Sequence, residues 1–75
     1  MASAFVLVNS RQGSTRVVMD ELKHIAGVTQ VHEITGAYDI IVMMEADSTE
    51  LVKSAAAKIR KIEGVSTTLT LTKAD

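Results

Sequence analysis

The chain has 75 residues, 47% of them hydrophobic, with eight Lys and Arg against nine Asp and Glu, a formal net charge of −1, and neither cysteine nor proline. That length allows a single domain over residues 1–75, in which folding buries roughly 60% of the surface of the extended chain. The composition excludes a disordered chain, a disulfide framework and the concentrated basic footprint needed for specific DNA binding.

The apolar run at residues 40–44, which no other run exceeds, falls far short of the roughly 20 residues of a membrane span. Residues 1–4 lack the basic start and long apolar stretch of a secretory leader, and a chain without cysteine suits the reduced cytoplasm. Residues 4–8, Ala-Phe-Val-Leu-Val, predict a first strand, and the turn-forming stretch 9–13 ends it. From Ser14 or Thr15, either of which supplies a capping hydroxyl, Val18, Leu22 and Ile25 recur at i, i+4 and i+7. They predict one amphipathic helix, ended by a left-handed cap at Gly27.

Residues 28–35 and 38–45 predict the second and third strands, an antiparallel hairpin that reverses at Gly36, where positive φ carries no steric cost. Asp47-Ser48-Thr49-Glu50 reads as a capping box with Asp47 at the cap and Glu50 three positions on. A second helix follows to about Glu63, with Val52, Ala55, Ile59 and Ile62 on one face and Gly64 closing it. Residues 65–72 alternate strictly: Val65, Thr67, Leu69 and Leu71 against Ser66, Thr68, Thr70 and Thr72. They predict the fourth strand, and the tail 73–75 is expected to fray.

The order is βαββαβ, and it carries the trace of a duplication at an offset of 37: Leu22, Ile25, Gly27 and Val28 recur as Ile59, Ile62, Gly64 and Val65. Right-handed crossovers then give an α+β fold of the ferredoxin-like type, a four-stranded antiparallel sheet with two helices on one face. Helices on one face should leave the strands alternating apolar and polar. The inner strands do not alternate. Phe5 and Leu7 back onto Ala4, Val6 and Val8, while Ile41 and Met43 back onto Ile40, Val42 and Met44. The second apolar face predicts a homodimer closed sheet to sheet, a dimeric α+β barrel arrangement.

Gly27-Val28 before a strand, the hairpin Thr35-Gly36-Ala37-Tyr38-Asp39-Ile40, and Gly64-Val65-Ser66-Thr67-Thr68-Leu69-Thr70 together resemble the effector-binding (RAM) domain of the Lrp/AsnC regulators, over essentially the whole chain. The resemblance implies dimers that join through the sheet and associate further, commonly as four dimers in an octamer. It also implies an amino-acid effector bound between neighbouring dimers. Those regulators carry a helix-turn-helix domain ahead of this region. The expectation here is a stand-alone module with no direct specific DNA binding, acting as a sensor or as a partner of full-length Lrp/AsnC regulators.

Carried across, the ligand-binding positions are Thr35, Gly36, Ala37, Tyr38, Asp39, Thr68 and Thr70. Ala37 stands where the family often has a polar residue. An effector ammonium suits Asp39 and turn carbonyls, and an effector carboxylate suits loop N–H groups and threonine hydroxyls.

No cofactor is expected, and His24 and His32 lack a third ligand at metal-binding spacing. The rival from another class is a small dimeric ferredoxin-like enzyme, of monooxygenase or isomerase type, using His32, Tyr38 or Asp39 as acid or base. An ACT-type module, which has similar topology and also binds amino acids but pairs side by side, is a third reading.

Overall fold

A computed structural model describes residues 1–73, which fold as β1 (Ala2–Ser10), α1 (Thr15–Leu22), β2 (Val28–Glu33), β3 (Ile40–Ala46), α2 (Thr49–Arg60) and β4 (Val65–Thr72). The expected fraying of the tail lies outside the described residues at Ala74 and Asp75. The strands form one antiparallel sheet in the order β2-β3-β1-β4, so the two most apolar strands are the inner ones. This is the ferredoxin-like arrangement.

Period-2 alternation puts Ala4, Val6, Val8, Ile40, Val42 and Met44 on one face. Val18 and Leu22 from α1 and Val52, Ala55, Ala56 and Ile59 from α2 bury themselves against it. No polar or charged side chain is buried among the described residues, so the core is held by apolar contact alone.

The opposite face carries Phe5, Leu7, Ile41, Met43, Leu69 and Leu71 side by side across three strands, because Phe5 lies opposite both Met43 and Leu71, and Leu7 opposite both Ile41 and Leu69. Phe5, Leu69 and Leu71 stay 42%, 43% and 47% exposed, an apolar patch without cover in the single chain.

Several expected boundaries move, each for a local reason. α1 stops at Leu22, capped by Lys23, and the chain turns through 23–27, so Ile25 reaches the core from the turn rather than from the helix. Ser14 occupies the N-cap but makes no side-chain capping bond, and neither it nor Thr15 supplies the expected cap. The cap of α2 is Ser48, not Asp47: its hydroxyl accepts from the Leu51 N–H at 3.3 Å, and the helix ends at Arg60. β2 ends at Glu33 and β3 begins at Ile40, which widens the expected turn into a loop over residues 34–39.

β4 differs most. Ser10 pairs with Val65 and Asn9 with Thr67, leaving Ser66 as an extra residue in a β-bulge. The bulge breaks the expected alternation. Val65 points to the core with Thr68 and Thr70, while Thr67, Leu69 and Leu71 take the open face.

The same irregularity occurs in β2, where Val28 pairs with Met44 and Gln30 with Met43, so that Thr29 is the extra residue. Thr29 and Ser66 occupy corresponding places of the two halves, and each donates its hydroxyl to a carbonyl of the adjacent inner strand, Met43 at 3.1 Å and Asn9 at 3.0 Å. The duplication read in the sequence is therefore one of backbone geometry as well.

Of the four glycines, Gly64 is the most closely approached by its neighbours. It is buried at φ +101°, and a Cβ there would stand 2.9 Å from Val18 Cγ2 and 3.1 Å from Ser14 Cβ. Gly64→Ala is expected to cost roughly 1–3 kcal/mol in urea denaturation, through left-handed strain and the Val18 contact. Ser48→Ala is expected to cost about 1 kcal/mol and Asp47→Ala less than about 0.5 kcal/mol. The reverse order would return the α2 cap to Asp47.

Candidate functional site

The end of the sheet where β1 and β2 finish gathers the 34–39 loop, the β1–α1 junction and the start of α1. β3 returns immediately after the loop, which is closed by the Ile34 N–H donating to the Asp39 carbonyl at 2.8 Å. The Asp39 N–H donates to the Val8 carbonyl at 3.1 Å, which fastens the loop to β1. Thr35, Gly36 and Ala37 are exposed, Gly36 at φ +129°, while Tyr38 and Asp39 are half-buried. The loop thus presents three solvent-facing residues backed by two half-buried ones.

Asp39 is the residue that does the holding. Its Oδ2 accepts the Ser10 N–H at 2.9 Å and lies 3.4 Å from the Ser10 hydroxyl. That hydroxyl is in turn 2.7 Å from the hydroxyl of Thr15, the first residue of α1. One carboxylate oxygen thus ties the hairpin loop to β1 and to α1. The Ser10 and Thr15 roles are not legible in the sequence, where the two residues read as turn and cap. Ser10 and Asp39 are 29 positions apart, and only the fold brings them together.

Thr68 and Thr70 are not brought to this loop. They sit on the edge strand β4, opposite Val8 and Val6 on the helix-covered side, and both are half-buried. β1 lies between β4 and β3, so two strand spacings, about 10 Å, separate Thr68 from the start of β3. A shallow concavity of about 320 Å³ lies beside Thr68, with Arg60, Val65, Ser66 and Thr67 on its other sides. In one chain the two parts of the expected site are separate surfaces.

His32 points to the open sheet face opposite Ile41, its Nε2 2.8 Å from Gln30 Oε1. Asp39 turns instead to the helix side through Ser10 and Thr15, so of the three groups named for acid–base chemistry, His32, Tyr38 and Asp39, the first and last do not converge. His24 follows α1 and donates through Nδ1 to the Asp20 carbonyl at 2.8 Å, where it satisfies a helix-terminal acceptor. Among the described residues no three His, Asp or Glu side chains gather in a metal-binding group. No helix among the described residues is long and apolar enough to cross a membrane. A concavity of about 730 Å³ runs along α1 beside the end of β2 and is lined by Thr15, Arg16, Met19, Asp20, Lys23 and Glu33 among others.

Comparison with known proteins gives this arrangement a family context. The sequence model of the Lrp/AsnC ligand binding domain matches residues 3–72. An uncharacterised helix-turn-helix-type transcriptional regulator of Pyrococcus furiosus is 34% identical over 73 residues, covering 92% of this chain and 49% of the regulator. A homocitrate synthase of Sulfurisphaera tokodaii is 43% identical over 56 residues, covering 75% of this chain and 12% of the enzyme. The chain therefore spans about half of one relative and a small part of the other. A solved protein of Thermus thermophilus superimposes with a TM-score of 0.94 at 26% identity, covering 100% of this chain and 95% of that one.

The Asp39 contacts carry a stability prediction that needs no ligand. Asp39→Ala removes the acceptor from the Ser10 N–H and is expected to cost about 2 kcal/mol, lowering Tm by roughly 8–16 °C. Asp39→Asn keeps a carbonyl oxygen for that N–H and is expected to cost less than about 1 kcal/mol. Equal melting of Asp39→Ala and wild type would remove Asp39 from its anchoring role.

Proposed function

Because the chain belongs to the Lrp/AsnC ligand binding domain family, we propose that it is a regulatory effector-binding module that senses a small amino acid, in a cytoplasmic setting. The observation that carries this reading is the loop at residues 34–39. It offers exposed backbone at Thr35, Gly36 and Ala37 next to a carboxylate with one oxygen already fixed by Ser10. Such a loop supplies donors for a carboxylate and an anionic acceptor for an ammonium, within the reach of one amino acid.

Two further features support assembly as part of the function. The uncovered row of Phe5, Leu7, Ile41, Met43, Leu69 and Leu71 fits closure by a second copy through the sheet. Thr68 and Thr70 stand apart from the loop within one chain, so a site using Thr35, Gly36, Ala37, Tyr38 and Asp39 together with these threonines needs the loop of one protomer and the β4 edge of another. Effector binding at such a junction favours the assembled state, because a ligand shifts an equilibrium by the difference in its affinity for the two states. Dimers joining into a larger ring, or contact with a full-length regulator, are the outputs this allows.

A second reading changes the target and keeps the module. The 43% identity to part of a homocitrate synthase favours a sensor whose output is an enzyme rather than a transcriptional regulator. Acid–base catalysis by this chain itself has less support, since His32 and Asp39 lie on opposite sides of the sheet.

The test is a thermal-shift screen of the amino acids on wild type, Asp39→Asn and Asp39→Ala. At about one hundred times Kd the effector adds about 2.7 kcal/mol, which in a domain of this size raises Tm by more than about 10 °C. Asp39→Asn is expected to lose that shift while keeping its fold, and a screen in which no amino acid raises Tm overturns the amino-acid reading. Sedimentation at micromolar concentration is expected to show dimers or larger species, with Leu7→Asp shifting them to monomer. A wild-type monomer at that concentration overturns sheet-to-sheet closure.

A further inference from the structure

We infer that Ser10 and Thr15 are positioning residues of the effector site: through Asp39 they hold the 34–39 loop in the geometry that presents its backbone and the Asp39 carboxylate to the ligand. The inference rests on placing the effector at the hairpin, and its first test is independent of any ligand. Both backbone hydrogen bonds that fasten the loop, from the Ile34 N–H and to the Val8 carbonyl, end on Asp39. The position of Asp39 therefore sets that of the loop.

Proton counting gives the chain of hydroxyls a direction. A carboxylate accepts only, and a serine hydroxyl has one proton. If Ser10 donates that proton to Oδ2, the 2.7 Å contact between Ser10 and Thr15 is made by the Thr15 proton. In that arrangement the order is Thr15 to Ser10 to Asp39, and it ends on the carboxylate. Thr15 thereby acts on the loop without touching it.

The start of α1 carries an independent sign of this arrangement. Two hydroxyl residues stand at its first positions, where one would ordinarily accept from a helix N–H. Ser14, at the N-cap, makes no such bond, and the Thr15 hydroxyl is turned back to Ser10. α2 by contrast uses Ser48 in the ordinary way. The helix that faces the loop has given up its side-chain cap, and its first hydroxyl is engaged with the loop's anchor. Departures from local rules of this kind collect at functional positions.

Amide hydrogen exchange of the ligand-free protein, followed residue by residue, tests the inference. Thr15→Val keeps the shape and removes the hydroxyl. It is expected to speed exchange at the Ile34 and Asp39 amides by about threefold or more, with α2 amides unchanged. Thr15→Ser restores the hydroxyl and is expected to restore the wild-type rates. Acceleration confined to α1, or a failure of Thr15→Ser to rescue, overturns the positioning role. Should Thr15→Val not fold, Ser10→Ala keeps the N–H to Asp39, loses only the hydroxyl, and is expected to give the same loop acceleration.

With an amino acid from the screen in hand, Thr15→Val is expected to raise its Kd about tenfold and Thr15→Ser to leave it within about twofold. An unchanged Kd in Thr15→Val overturns the role in binding. If no amino acid binds wild type, the effector reading fails by that result, while the exchange data still decide whether the two hydroxyls position the loop.

Discussion

The sheet is apolar on both faces in its two inner strands, and the helices cover one. Ala4, Val6, Val8, Ile40, Val42 and Met44 lie under α1 and α2, while Phe5, Leu7, Ile41 and Met43 lie on the other side of the same two strands. Among the described residues no further element covers them. Water-exposed apolar surface on this scale drives association. The buried core of one chain and the uncovered apolar face are thus two consequences of the same strand composition.

The edge strands adapt that sheet to its surroundings. Bulges at Thr29 and Ser66 let Val28 and Val65 reach the core straight after a turn, and let the rest of each strand change sides. In β4 this turns Leu69 and Leu71 to the open face and extends the apolar patch over a third strand. In β2 the same step presents Gln30 and His32, which rim that patch with polar groups. Bulges also blunt sheet edges against unwanted pairing. One backbone device, present once in each half, shapes the surface and limits which contacts it makes.

Asp39 connects this scaffold to the candidate site. A turn aspartate commonly satisfies its own loop, whereas this one reaches the Ser10 N–H and, through hydroxyls, the first residue of α1. Replacement by alanine removes the acceptor of the Ser10 N–H, and replacement by asparagine keeps an oxygen for it while removing the charge, which makes the pair more informative than either variant.

The sequence by itself determined the order of elements, the two buried helix faces, the double-sided inner strands and the duplication, because each is written in local spacing: 3.6 residues for a helix, two for a strand, and a glycine where left-handed backbone is needed. It also placed the reversal at Gly36, which the structure widens into a loop over residues 34–39. It misjudged the α2 cap, since Asp47 and Ser48 are both competent and only the path of the chain selects Ser48. It misjudged β4 because a bulge depends on the partner strand: strict alternation in 65–72 does not show where Ser66 drops out of the ladder. The tie of Asp39 to Ser10 and Thr15, and the separation of Thr68 and Thr70 from the loop, were decided only by tertiary structure. They depend on β1 passing between β3 and β4 in space, an arrangement that no local spacing encodes.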